Sequence, residues 1–527
     1  MWLFCLSLLP YFLFTAYKTR KSFHMLQQNF YDEANRYFSW ILKNQKKLWL
    51  DIDAFFPLLI MLYVLPYEIG CIVFALFYVI LSIQYHNRFK MEQTKKPLVV
   101  TSRIKRLSVM MIIVYLLAIL PMLLLQDTKM APINYLFLAF LSYLNYLVVC
   151  VANVLNKPIE KCVYLSYRSR AIKKLKKLEI PVIGITGSYG KTSSKNVIDE
   201  ILNVKFNAYA SPKNYNTDYG IILTVNNYLD KFNDYFIAEM GAFKKGDIAK
   251  ICDIAQPKYG ILTVIGEAHL DTFGSRENIR QGKFELIESL PKDGMAILNG
   301  DDDYQRTYNL QNTCNVCWIG IDNKEVDLYA TNIKLSHLGT SFDVKFKDDE
   351  KFYPFQTKLL GNHNIYNLLV GILLGKKLGM SIEEIERGVS RIKPVEHRLS
   401  MSKVGNLNII DDAYNSNPVG SKIAVEILGL MPGTKIIVTP GMIELGDKQY
   451  YLNKTFGTHI AEYVDYAILI GKEQTKPIYE GLMEKGFPDN KIFVLNDVKE
   501  AFPLMRKLGD EETYVLLEND LPDLFNE

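Results

Sequence analysis

The 527-residue chain has little net charge, few cysteines, no evident leader and no flexible linker, and each shortage narrows what it can be. A net charge of +4, spread over scattered lysines, excludes a nucleic-acid-binding surface. Seven cysteines are too few and too dispersed for a disulfide framework: Cys5, Cys71 and Cys150 lie in apolar runs, Cys162 follows the last run, and Cys252, Cys314 and Cys317 fall in the remainder. Cys314 and Cys317 form a lone CxxC without a second pair, which reads as reduced packing cysteines rather than zinc or redox chemistry. The apolar N-terminus has no basic segment before it and no small-residue cleavage site after it, so it is expected to be a retained span. No Gly- or Ser-rich linker separates the apolar region from the rest of the chain, and the length suggests about three or four units.

Apolar runs cover residues 1–17, 54–66, 69–85, 109–126 and 135–155, against the ~20 residues that a spanning helix needs. The last two are long enough to span on their own. The second and third read as a hairpin turning at Pro66, Tyr67 and Glu68, or as one kinked helix. Basic residues gather at 18–47, 88–106 and 157–177, while the intervening turns offer only Lys129. Since Lys and Arg near span ends favour the cytoplasmic side, five spans with the N-terminus outside are expected. The protein would then be a multi-pass protein of the cell membrane with its soluble part in the cytoplasm. Few charges lie inside the runs, so simple anchorage and a role in binding a lipid-linked substrate both stay open. Residues 168–177 alternate basic side chains with Ile172 and Leu175 at helical spacing and are expected to form a short basic helix against anionic headgroups.

Residues 181–192 (PVIGITGSYGKT) carry a β-branched strand into a glycine turn and a helix beginning near Lys191. A phosphate loop needs that context. Gly187 and Gly190 let backbone N–H groups approach phosphate oxygens, the helix N-terminus adds positive potential, Lys191 reaches the outer phosphates, and Thr192 offers its hydroxyl to Mg²⁺. The loop Thr186, Gly187, Ser188, Tyr189, Gly190, Lys191, Thr192 departs from the common spacing, with Ile185 where the first glycine would stand. Glu239, at the end of another strand, is the candidate second oxygen ligand for a hard cation. ATP and Mg²⁺ are therefore the expected cofactors.

Further segments come in a fixed order: 214–220 (NYNTDYG), 239–242 (EMGA), 265–270 (IGEAHL), Lys283 on a helix, 361–367 (GNHNIYN), His397 and Arg398, 411–418 (DDAYNSNP) and 441–446 (GMIELG). Together with TGSYGKT they make the sequence resemble the Mur ligase family of peptidoglycan peptide ligases over about residues 181–510, nearest to the branch that adds a terminal dipeptide. The resemblance implies an ATP-dependent ligase that activates a carboxylate as an acyl phosphate and joins it to an amine donor. It implies that His269 and a CO₂-carbamylated Lys283 hold a second Mg²⁺, that Asn364 and Asn367 contact adenine, and that Arg398 and Asp412 reach the nucleotide from the C-terminal domain. Asn214, Asn216 and Thr217 would bind the acceptor substrate. Tyr414, Asn415 and Asn417 would line the amine side, although Asn415 and Asn417 equally suit a turn. His269 as a structural strand-end residue, Lys283 as an ordinary helix lysine and Arg398 as a surface charge are the plainer alternatives. The chain departs from the family in two ways. Membrane spans take the place of the small uridine-binding domain, and residues 516–522 (LLENDLP) replace a C-terminal KGS-like segment.

The expected fold is an α-helical membrane region (1–155) and a basic juxtamembrane segment (156–180), succeeded by two α/β domains. The first is a P-loop central domain (181–396) with a mostly parallel sheet, and the second is a Rossmann-like C-terminal domain (397–527). The substrate would be a small-molecule or lipid-linked peptide, with membrane lipid as a partner. A ligase for another polymer, such as poly-γ-glutamate, and a transporter or scaffold with a degenerate nucleotide domain are the rival readings. The joint presence of Lys191, Thr192, Glu239, His269 and Lys283 disfavours the last.

Overall fold

A computed structural model describes residues 2–91, 97–124, 131–213, 215–268, 270–336, 339–394, 397–413, 418–443, 445–510 and 512–519. The chain forms two compact units, Met1–Ser166 and Tyr167–Glu527. The division falls inside the segment expected to be juxtamembrane.

The first unit is helical, with α1 (Trp2–Gln28), a 3₁₀ segment (Ile52–Tyr63), α2 (Tyr67–Met91), α3 (Ser102–Leu124), α4 (Ala131–Tyr143) and the start of α5 (Asn145–Leu178). Rings fill its core, with Tyr11 edge-on to Tyr78, Phe74 stacked on Tyr135 and Tyr11 tilted against Phe74. Among the described residues, Tyr67–Asn87 and Ser102–Met122 are long and apolar enough to cross a membrane. The last run, expected as a span, is broken between α4 and α5, which meet at 74°.

Polar side chains gather at this break, and one of them reaches a freed backbone carbonyl, as an apolar interior requires. Lys18 Nζ donates to Tyr143 O (3.0 Å), and Asn145 accepts from Ser22 Oγ (3.0 Å) and donates to Thr19 Oγ1 (2.9 Å) and Tyr115 OH (3.1 Å). Lys18 also forms a buried ion pair with Asp53, so the unit does carry interior charge. The basic residues 168–177 are not a separate short helix, because they form the last turns of the 34-residue α5.

The second unit holds two sheets. Its first half contributes β1 (Val182–Thr186), α6 (Lys191–Leu202), β2 (Ala208–Ala210), α7 (Asp218–Asn227), β3 (Tyr235–Glu239), α8 (Asp247–Ala255), β4 (Tyr259–Leu262), α9 (Arg276–Glu288), β5 (Met295–Asn299) and β6 (Asn315–Gly320). After these come β7 (Leu328–Ser336), β8 (Gly339–Phe346), β9 (Tyr353–Thr357), α10 (Asn362–Lys377) and α11 (Ile382–Arg391). Among the described residues the sheet runs β2-β3-β1-β4-β5-β6-β7-β8-β9, parallel as far as β7 and antiparallel beyond it. β1 is buried along its whole length, as expected of a parallel strand covered on both faces. Ile198 and Ile201 of α6 pack with Leu368 and Ile372 of α10. The helices approach so closely that a Cβ on Gly371 would stand 2.7 Å from Ile201 Cδ1.

The second sheet comprises β10 (Ser400–Val404), β11 (Leu407–Asp412), β12 (Lys435–Thr439), β13 (Tyr466–Ile470), β14 (Ile492–Leu495) and β15 (Thr513–Glu518). Its order is β10-β11-β15-β12-β13-β14, parallel except for the edge strand β10. The strands expected from residues 407, 435, 466, 491 and 514 onward are all present; β10 was not foreseen. Cys314 and Cys317 are buried free thiols, in line with packing residues.

Candidate active site

β1 ends under a loop that only glycine can form. Gly190 has φ +79° and precedes the first turn of α6, while a Cβ on Gly187 would fall 1.9 Å from Thr263 Oγ1. Thr263, just past β4, holds the loop from below by donating to Tyr189 O at 2.5 Å. Ser188 ties the loop to the strand-end segment beyond β4, with its N–H donating to Val264 O (2.8 Å) and its Oγ accepting from Gly266 N (2.9 Å). The Thr186 hydroxyl is buried and donates to Met240 O (2.9 Å). With these side chains occupied in bracing, the loop's backbone is left as the phosphate-facing surface.

Lys191 folds back over this loop, donating to Gly187 O (2.7 Å) and Ser188 O (3.2 Å). Burial pushes its ammonium down to about 8, with Glu239 opposing the shift and the Arg398 guanidinium adding to it. Beside it, the buried Glu239 accepts at Oε1 from Thr192 Oγ1 and from Asn216 Nδ2, each at 3.2 Å, and its Oε2 lies 3.1 Å from Lys195 Nζ. A carboxylate and a hydroxyl converging below a phosphate loop are the oxygen donors that Mg²⁺ favours. No cluster of three or more His, Cys, Asp or Glu occurs among the described residues.

Lys195 was not foreseen. One turn beyond Lys191 on α6, it is buried and also donates to Ser211 O (3.0 Å) and Lys213 O (2.8 Å), which joins Glu239 to the segment leading to Asn214. The only sequence signal was its i+4 spacing from Lys191, which puts both lysines on one helix face.

Lys283 lies on α9 and is 2 % exposed. Burial pushes its ammonium down to about 7, the Lys191 charge adds to this, and Glu285 and Asp247 oppose it. Phe273 lies beneath it, with the ring centroid 5.5 Å from Nζ. It is therefore not an exposed helix lysine.

Residues 185–375 match the Mur ligase middle domain. The UDP-N-acetylmuramoyl-tripeptide--D-alanyl-D-alanine ligase of Bacillus subtilis is 33% identical over 340 residues, which cover 64% of this chain and 72% of that one. The chain belongs to the Mur ligase family. It is accordingly an ATP-dependent ligase that forms amide bonds. MurF from Acinetobacter baumannii is similar in structure, with a TM-score of 0.59, 25% identity and coverage of 68% of this chain and 77% of that one. MurF ligase from Thermotoga maritima, solved with ADP, has a TM-score of 0.60 at 24% identity, covering 68% and 80%, and its likeness is one of fold.

Other expected site residues of this Mur ligase surround the loop or lead away from it. Asn364 and Asn367 are buried beneath the loop, with Asn367 accepting from Ser194 Oγ (2.7 Å) and donating to Asn364 Oδ1 (3.1 Å). Asn364 in turn donates to Leu360 O (2.8 Å). Thr217 caps α7, accepting from Gly220 N (3.2 Å). Asp412, at the end of β11, accepts from Leu399 N (3.1 Å), and burial raises its carboxyl to about 6 against the pull of that amide and of Arg398. Arg398 thus bears electrostatically on both Lys191 and Asp412. Asn214, His269, Tyr414, Asn415 and Asn417 lie outside the described residues.

Proposed function

We propose that this Mur ligase joins D-alanyl-D-alanine to the peptide carboxylate of a UDP-N-acetylmuramoyl-tripeptide, and that it does so at a membrane. The convergence of Thr192, Asn216 and Glu239 below the phosphate loop carries the reading, because it puts the metal-holding oxygens beside the segment expected to bind the acceptor. The relatives' shared substrate name and the EMGA and DDAYNSNP segments support the choice of substrate.

In this reading the acceptor carboxylate oxygen attacks the γ-phosphorus of ATP, ADP leaves, and an acyl phosphate forms. The amine of the dipeptide then attacks the acyl carbon, inorganic phosphate leaves with its bridging oxygen, and an amide remains. No enzyme nucleophile is required, so the protein's task is to position and to balance charge. The loop amides cradle the phosphates, and Lys191 turns from its carbonyls to the outer phosphate. Thr192 and Glu239 would hold Mg²⁺, which when bound neutralises charge on the phosphate oxygens. His269 and a carbamylated Lys283 would hold a second Mg²⁺ near the acceptor. Asn364 and Asn367 would meet adenine, Arg398 and Asp412 would approach the nucleotide from the second sheet, and Tyr414, Asn415 and Asn417 would face the amine.

Membrane attachment through the first unit, with the ligase unit cytoplasmic, is supported by the apolar helices at Tyr67–Asn87 and Ser102–Met122 and by the clustering of basic residues at 18–47, 88–106 and 157–177. That helical unit, standing where the family carries its uridine-binding domain, favours a second acceptor, a lipid-linked peptide. The purified protein, given Mg-ATP, is assayed against UDP-N-acetylmuramoyl-tripeptide, its lipid-linked form and glutamate, each with D-alanyl-D-alanine or glutamate as the amine. Phosphate release and product mass with the nucleotide-linked peptide are expected. Turnover only with glutamate as both acceptor and amine would overturn the assignment.

A further inference from the structure

The ligase unit carries a surface whose chemistry is not used by the reaction. α7 starts directly behind the acceptor segment and exposes Tyr219, Leu223 and Asn227 along one line at i, i+4 spacing. Tyr228 and Phe232 continue this exposed apolar edge, Phe232 at 66 %, with Lys231 Nζ 5.1 Å over the Phe232 ring. The end of α5, whose residues 168–177 carry six basic side chains and no acid, meets the last turn of α7 at Asn226. The two helices are joined in both directions: Asn226 Nδ2 donates to Tyr167 O (3.0 Å), and Lys174 Nζ donates to Asn226 O (3.1 Å). Ala171 and Leu175 are the buried side of this helix end, so Arg170, Lys173 and Lys177 are left exposed.

We infer that this paired-helix face docks on the surface of an anionic bilayer, with Tyr219, Leu223, Tyr228 and Phe232 at headgroup level and the α5 cations on lipid phosphates. Amphipathic aromatic rings favour that depth, and exposed apolar side chains rimmed by cations are the pattern of interfacial segments. The acids that flank these segments in sequence, Glu179, Asp218, Asp230 and Asp234, are outnumbered by the six α5 cations. The occupant is a lipid surface rather than a protein because the cations belong to the same continuous helix that leaves the apolar first unit. Docking would hold the start of α7, and with it the acceptor segment, within one helix length of the bilayer, about 15 Å for ten residues. The inference rests on the membrane-attached reading proposed above.

The test uses the full chain with exposed Cys5 and Cys162 replaced by serine and an environment-sensitive fluorophore on Asn227→Cys. The chain is reconstituted in nanodiscs of either phosphatidylglycerol or phosphatidylcholine. A spin-labelled headgroup lipid should quench the probe in the anionic discs, and quenching should be much weaker in the neutral ones. Each basic side chain near such a surface strengthens attachment by about fivefold, so Arg170→Glu with Lys173→Glu should abolish the quenching. A chain that incorporates into anionic discs yet is not quenched would overturn the docking while leaving membrane attachment intact. Quenching that is equal in both lipids and unchanged in the double variant would also overturn it. Hydrogen-exchange protection of residues 218–232 without quenching would mean that protein, not lipid, covers the face, and would overturn it as well. Quenching by anionic vesicles of a chain that fails to incorporate would support docking and reject the spans.

Discussion

Lys283 has surroundings unlike those of an ordinary helix lysine: buried, without an ion pair among the described residues, and depressed to about 7 by burial. At neutral pH much of it is free amine, the form that adds CO₂, and a carbamate there would supply an anionic oxygen beside the metal. Lys283→Ala is expected to lose activity, and a short carboxylic acid in the buffer should restore part of it. Full activity without added acid would remove Lys283 from the site. Lys191→Ala should lower kcat/KM for ATP by about a hundredfold or more, the typical cost of one electrostatic contact to a reacting phosphate. Since burial holds the Lys191 ammonium near 8, the free enzyme loses that charge as pH rises through this value. The same ratio should therefore fall above pH 8 in the native protein and stay flat in Lys191→Arg. Lys195→Met strips the buried Glu239 of its ammonium and is expected to cost about 3–5 kcal/mol of stability without nucleotide. Mg-ATP should recover part of that loss by supplying a new cation to the carboxylate. Thermal unfolding with and without Mg-ATP measures both.

At the scale of elements, the phosphate loop was legible because its glycines, lysine and threonine stand at fixed offsets after a β-branched strand. The brace under it was not, because Thr263 is distant in sequence and meets Tyr189 only once β1 and β4 pair. Gly187→Ala tests that brace. With its Cβ aimed at Thr263 Oγ1, the variant should keep its secondary structure by circular dichroism and lose ATP binding by calorimetry. Intact ATP affinity would contradict the close packing. The strands of the second sheet were legible from apolar runs such as KIIVT and YAILI, buried on both faces. β10 (SMSKV) was not, because an exposed edge strand has no apolar alternation to reveal it. The break between α4 and α5 escaped for a related reason. Hydropathy registers an unbroken apolar run, whereas the polar contacts at the bend come from Lys18, Ser22 and Tyr115, which are remote in sequence.

At the scale of the whole molecule, the chain combines an apolar helical unit with a two-sheet ligase unit, and basic-residue placement bears on how a membrane would divide them. An introduced cysteine at Lys46 should resist impermeant reagents applied to intact cells, and a reporter after Lys177 should be cytoplasmic. External labelling at Lys46 would reverse the proposed orientation. The proposed activation of the acceptor as an acyl phosphate can be followed by isotope transfer. With the acceptor carboxylate labelled with ¹⁸O and Mg-ATP and D-alanyl-D-alanine supplied, the oxygen that bridges carbon and phosphorus must leave with the phosphate. One ¹⁸O is expected in each inorganic phosphate released during amide formation. Amide formed with unlabelled phosphate would contradict acyl-phosphate chemistry.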